Sequence, residues 1–175
     1  MNERLNIVNI RKADVIRPLV AENLSKLYSG KFLAVDKLSL GVDHQQVFGL
    51  LGLNGSGKTT TFKMLTGNLR PDSGHVLLDG KNVTGQANSS CKDIGYCPQF
   101  DALYDEMSVV EHLDFFANLR GLTGKSREIF IEFVFKALQL ERHKHKLAST
   151  LSGGNERKLQ TAILIIGKPS ILLLD

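Results

Sequence analysis

Cysteine is close to absent from this 175-residue chain: Cys91 and Cys97 are the only two. They are not in CxxC spacing and have no paired histidines nearby, which excludes a disulfide framework or a Cys/His zinc site and leaves reduced thiols as the expectation. Long apolar runs are missing as well. The best stretches, Ala162–Ile166 and Ile171–Leu174, are parted by Gly167-Lys-Pro-Ser170, and neither approaches the roughly 18 residues that a membrane-crossing helix needs. The opening residues MNERLNIVNIRKADV carry charges throughout and lack the apolar core and cleavage site of a signal peptide, so the cytosol is the expected compartment. There is no internal repeat and no low-complexity segment. A strong charge of one sign is lacking too: 22 Lys and Arg stand against 18 Asp and Glu, and the basic residues are scattered, which argues against a nucleic-acid patch.

What is present begins with 42% hydrophobic and 23% charged residues, the balance of one soluble globular domain or most of one. The stretch VFGLLGLNGSGKTTT, Val47 to Thr61, organises it. Val47, Phe48, Leu50 and Leu51 form an apolar run that predicts a parallel strand covered on both faces. Gly52-Leu-Asn-Gly-Ser-Gly-Lys58-Thr59 then matches the phosphate-loop pattern GxxxxGK[ST] with no mismatch. Gly52, Gly55 and Gly57 lack Cβ, so the backbone can aim successive N–H groups at an anion. A helix predicted over Thr59–Leu69 adds its free N-terminal amides, and Phe62, Met64, Leu65 and Leu69 can pack beneath it. Lys58 supplies a point charge for the β- and γ-phosphates, and Thr59 a hydroxyl for Mg2+. The expected nucleotide contacts are therefore Gly52, Leu53, Asn54, Gly55, Ser56, Gly57, Lys58, Thr59 and Thr60; a glycine-rich turn that binds nothing is the competing reading.

Around this loop, residues 1 to about 18 read as a linker or upstream tail closed by Pro18. Leu19–Leu27 and Leu33–Val42 predict an antiparallel hairpin turning through Tyr28-Ser-Gly-Lys31. A strand and turn follow at His75–Gly80, and another strand at Ile94–Cys97 is stopped by Pro98. Ser108 and Glu111 have the spacing of a capping box, so a helix from Ser108 to about Leu119 is expected, ended by Gly121. Ser126–Leu140 predicts a second helix, apolar at Ile129, Phe130, Phe133, Val134, Ala137 and Leu138, and the aromatics of both helices are expected mostly in the core. Two helices without an intervening strand suggest a helical insertion in an α/β domain. A further helix is expected over Asn155–Ile166, and Ile171–Leu174 is an aliphatic strand ending at Asp175, the pattern with which phosphate-loop NTPases present a Mg2+-binding carboxylate.

In order, the chain thus carries a turn aromatic, Tyr28; the phosphate loop Gly52–Thr59; the segment Tyr96-Cys-Pro-Gln99-Phe-Asp101; the segment Leu151-Ser-Gly-Gly-Asn155; and the strand ending at Asp175. Over residues 19–175 it resembles the nucleotide-binding domain of an ABC transporter. The stretches Gly49–Gly55, Phe62–Gly67, Gly95–Ala102 and Ser152–Leu159 are most similar to the A subfamily, transporters of lipids and sterols. The resemblance implies an α/β phosphate-loop NTPase fold with an N-terminal antiparallel β subdomain and a helical subdomain at about 100–160. It implies that Tyr28 stacks on adenine, although a packed strand-end tyrosine would look alike, and that Gln99 reaches Mg2+ and the attacking water. It further implies that Leu151, Ser152, Gly153, Gly154 and Asn155, the family's signature with Asn155 in place of the usual glutamine, meet the γ-phosphate on a partner domain. Lys58, Gln99 and Asp175 are then the catalytic candidates, and Thr59, Gln99 and Asp175 the metal candidates. The implied cofactors are ATP and Mg2+. The implied partners are a second ATP-binding domain in a head-to-tail sandwich and transmembrane domains that carry a lipid, at the cytoplasmic face of a membrane, with no nucleic acid.

One departure qualifies the resemblance. The family places a general-base glutamate immediately after the position of Asp175 and a histidine further on, and His75, His112, His143 and His145 lie in the wrong segments to replace that histidine. The expectation is a C-terminally incomplete domain with weak or no ATPase activity of its own. Two alternatives stay open: a soluble, non-transport ABC ATPase acting on nucleic acid or ribosomes, and a truncated, non-hydrolysing nucleotide-binding chain.

Overall fold

The computed structural model describes residues 17–85, 93–99 and 103–175. The expected tail at residues 1–16, Cys91 and the 100–102 part of the glutamine-containing segment lie outside the described residues. The chain divides into two compact units, Met1–Cys91 and Lys92–Asp175.

In the first unit, strands β1 (Leu19–Tyr28) and β2 (Phe32–Val42) form the expected antiparallel hairpin. Its turn is closed by the Lys31 N–H donating to the Tyr28 carbonyl at 3.1 Å. Ser29 and Gly30 both take positive φ, the backbone hand that matches strand twist in tight hairpins. Helix α1 (Lys58–Leu65), strand β3 (Ser73–Leu78) and the short β4 (Lys81–Asn82) complete the unit, with sheet order β2-β1-β3-β4. Alternation along β1 buries Leu19 and Ala21, an irregularity between Ala21 and Leu24 brings Leu24 in as well, and β3 adds Val76 and Leu78 to the core. α1 covers less than predicted because Gly67, at φ +74, takes the left-handed conformation that ends helices. Met64 and Leu65 are buried from it, whereas Phe62 is only half-buried.

The second unit contains β5 (Ile94–Cys97), α2 (Val109–Leu119), α3 (Gly124–Ala137), α4 (Gly153–Leu164) and β6 (Ile171–Leu174). β5 and β6 pair in parallel, Ile94 with Ile171 through Cys97 with Leu174. The Ser108–Glu111 capping box forms as the spacing predicts, with both reciprocal bonds present. Val109, Leu113 and Ala117 of α2 pack with Val134 and Phe135 of α3 and with Leu159 of α4 in one cluster. α4 runs close over β5: a Cβ on Gly95 would stand 2.4 Å from the Leu164 carbonyl oxygen, so only glycine fits there.

Two expectations fail. The run from Val47 to Leu51 is not a strand: it is coil, with Val47 98% and Leu51 83% exposed. An apolar run becomes a strand only when neighbours complete its hydrogen bonds, and among the described residues no strand pairs with this one. On α3, Ile129 and Phe133 are 68% and 59% exposed rather than in the core. Its apolar residues span more of the circumference than one packed face can cover, and the excess lines a groove of about 820 Å3 shared with Phe130, Ile165 and Leu172.

Candidate functional site

The phosphate loop is built around three backbone devices. Gly55 and Gly57 take φ of +82 and +92, the left-handed region that L side chains resist. Gly57 is required twice over, because a Cβ there would also meet the Ala34 carbonyl oxygen of β2 at 2.2 Å. Ala34 is the extra residue of a bulge in β2, where Lys26 pairs with Val35 and Leu27 with Leu33. The bulge thus seats the end of the loop on the same hairpin whose tip carries Tyr28, which is 37% exposed. Gly52 and Ser56 close the loop's mouth: a Cβ on Gly52 would meet the Ser56 hydroxyl at 2.4 Å.

Lys58 donates to the Gly52 and Leu53 carbonyls at 2.8 and 2.9 Å, which leaves one of its three N–H donors for an anion. α1 has no side-chain cap and no acidic residue in its first turn, so neither offsets its positive end. Leu53, Asn54 and Thr59 are exposed and Thr60 half-buried. These residues fit a polyphosphate: left-handed loop glycines, a lysine and a hydroxyl lie together at the start of α1, whose first turn carries no acidic residue.

In the second unit, Gln99 and Asp175 follow the carboxyl ends of two paired parallel strands, the end at which open α/β sheets bind ligands. The Asp175 N–H donates to the Cys97 carbonyl at 3.0 Å, which fixes the backbone that presents the carboxylate. Tyr96 Oη donates to Asp175 Oδ2 at 3.4 Å. Burial, and then the Asp175 charge beside it, hold the Tyr96 phenol above its ordinary range. Arg157 of α4 donates to the Gln99 carbonyl at 3.4 Å and to Gln160 Oε1 at 2.8 Å. Neither Tyr96 nor Arg157 stood out in the sequence as a site residue; only the strand pairing and the path of α4 bring them to Asp175 and Gln99.

Leu151, Ser152, Gly153, Gly154 and Asn155 lie at the start of α4, which begins at Gly153 rather than at Asn155. Leu151 is buried, and Ser152, Gly153 and Gly154 are exposed. The approach to this segment is tied to the start of α2. Ser108 bridges Leu147, the Val109 N–H donates to the Lys146 carbonyl at 3.1 Å, and the Ala148 N–H donates to the Met107 carbonyl at 2.9 Å. His112, fully buried, braces the same corner: its Nε2 accepts from the Tyr104 N–H at 2.8 Å, so Nδ1 carries the proton and donates to the Ser108 carbonyl at 2.9 Å.

Comparison with known proteins agrees with this organisation. Residues 35–175 match the ABC transporter family. Human phospholipid-transporting ATPase ABCA3 is 47% identical over 160 residues, 90% of this chain. Human ATP-binding cassette sub-family A member 2 is 45% identical over 88% of the chain, and bovine retinal-specific phospholipid-transporting ATPase ABCA4 is 45% identical over 94%. The chain spans 9%, 6% and 7% of the lengths of those three proteins. Among solved structures, CbiO1 from Clostridium perfringens, part of the ABC transporter complex CbiONQ, superposes with a TM-score of 0.82 at 26% identity, over 92% of this chain and 66% of that one. The ATP-binding subunit of another ABC transporter superposes with a TM-score of 0.81 at 25% identity, over 90% and 65% of the two chains.

Proposed function

The chain belongs to the ABC transporter family, as an ATP-binding domain related to the A-subfamily lipid transporters, and on that premise we propose that it binds MgATP between paired domains to drive a lipid across a membrane. The observation that carries the proposal is the phosphate loop, in which Gly55 and Gly57 take left-handed φ and Lys58 is already held at the loop mouth. In this reading the loop amides and Lys58 hold the β- and γ-phosphates, and Tyr28 stacks on the adenine. Gln99 and Asp175 orient the attacking water and the metal. Ser152, Gly153 and Gly154 meet the γ-phosphate held by a second domain.

Among the described residues no group of three or more His, Cys, Asp or Glu could hold a metal ion. Mg2+ is usually held by one or two protein oxygens together with substrate phosphates, and Thr59, Gln99 and Asp175 offer the hard oxygens it prefers. Bound there, Mg2+ supplies charge neutralisation across the phosphates. No described helix is long and apolar enough to cross a membrane. In this reading the transmembrane domains and the lipid path belong to other segments of the full-length protein, with this domain at the cytoplasmic face.

The test is lipid movement by the full-length protein in liposomes holding a fluorescent phospholipid. ATP should drive movement, and Lys58→Ala should slow it by about tenfold or more, the loss expected on removing a charge-assisted phosphate contact. Movement unaffected by Lys58→Ala would overturn the proposal, as would no lipid movement together with salt-sensitive RNA binding.

A further inference from the structure

We infer that His143 is a positioning residue for the start of α4: it holds Asn155 away from Ser152, so that the helix end stays open to an anion. The inference rests on the reading of Leu151–Asn155 as the segment that meets a nucleotide γ-phosphate.

Ser152 and Asn155 stand three residues apart. At that spacing an N-cap hydroxyl and a third-position side chain can satisfy each other's backbone N–H groups. The chain uses this spacing twice with opposite results. At Ser108 and Glu111 the reciprocal pair closes. At Ser152 the side chain makes no cap bond, while Asn155 Nδ2 lies 3.3 Å from His143 Nε2. The two sites differ in the third-position side chain, glutamate against the shorter asparagine, and in the competing partner that only Asn155 has. His143 ends the short 3-10 turn Glu141–His143, and that turn is fixed from both sides. The His143 N–H donates to the carbonyl of fully buried Leu140 at 2.9 Å, and the Lys146 N–H donates back to the His143 carbonyl at 2.9 Å.

The ring therefore stands on an ordered support, and its Nδ1 is buried without a hydrogen-bond partner. Asn155 supplies the ring's partner at Nε2, and an amide can answer either tautomer because it offers N–H at one end and C=O at the other. Released from His143, Asn155 would be free to turn its oxygen back to the Ser152 N–H. The Asn155 N–H already donates to the Ser152 carbonyl at 2.8 Å, so the Ser152 N–H is the donor at stake. That change puts partial negative charge, and a spent donor, at a helix end whose value to an anion is its free N–H groups.

The test uses the full-length protein and radiolabelled ATP retained after rapid dilution, which reports nucleotide enclosed between domains. Initial binding at the phosphate loop is measured separately with a fluorescent ATP analogue. His143→Ala should raise the ATP concentration for half-maximal retention by about tenfold, the equilibrium equivalent of one helix cap. His143→Gln, which keeps an amide near the Nε2 position, should restore it, and initial binding should be unchanged in both variants. Hydrogen exchange at the Ser152 amide, read in the same samples, should slow in His143→Ala and not in His143→Gln. Normal retention in His143→Ala, or exchange unchanged there, overturns the inference. Ser152→Ala separates the two levels. If it leaves retention intact, the reading of this segment as a γ-phosphate contact is wrong; if it abolishes retention while His143→Ala does not, only the role of His143 is wrong.

Discussion

Gly95 has no part in any phosphate chemistry, yet α4 can lie on β5 only because this residue has no side chain. Gly95→Ala would force a methyl against the Leu164 carbonyl oxygen at 2.4 Å, and backbone cannot swing aside as a side chain can. The expected cost is about 1–3 kcal/mol, seen as a lower urea midpoint with an unchanged slope. Gly57 is constrained by both its φ and the Ala34 carbonyl, and its requirement was legible from sequence because the phosphate-loop pattern encodes a local backbone shape. Gly95 was not, since its constraint comes from a helix end some 70 positions later, at Leu164. Tyr96, Arg157 and His112 escaped notice for the same reason: each owes its role to a partner that folding delivers. Asn155 was legible as part of a motif, but its bond to His143 was not.

At the scale of the element, local signals read best. The Ser108–Glu111 cap, the turn at Tyr28–Lys31 and the strand Ile94–Cys97 all form where the sequence places them, because each is decided by a few consecutive residues. The run from Val47 to Leu51 has the composition of a buried strand, but pairing is not a local property, and here it stays exposed coil. Helix ends moved for a similar reason: α3 stops at Ala137, before Gln139 at φ +56, a conformation that composition does not announce. Ser108→Ala should lower stability by about 1 kcal/mol and fray the start of α2, checked by urea titration and amide exchange. The Ser108 hydroxyl and then the Ser108 N–H, donating to the Glu111 carboxylate, hold Glu111 below its ordinary value of 4.5. A depressed folded-state pKa gives stability that is present above the unfolded value and lost as pH falls through the folded one. The cap should therefore hold at neutral pH and weaken below about pH 4.5, and Glu111→Gln should remove that acid-side loss. Equal pH profiles for the two proteins would contradict it.

For the molecule as a whole, the sequence motifs fall into two sets. The phosphate loop and Tyr28 lie in the first unit; Gln99, Asp175 and the start of α4 lie in the second. The first set offers donors to an anion, whereas the second pairs a carboxylate and an amide at strand ends with an uncapped helix start. In the proposed reading the loop's positive and N–H groups hold a polyphosphate, and Gln99 and Asp175 offer oxygen to its metal and water. The α/β class and the family were legible because glycine spacing, the LSGG segment and the aliphatic strand ending in Asp are each set by what a phosphate site demands. The central claim is that Gly52–Thr59 is a nucleotide phosphate site, and calorimetric titration of the chain with MgATP tests it most directly. Binding at one site per chain, weakened by about tenfold or more in Lys58→Ala, is the predicted result; identical heats from the two proteins would contradict it.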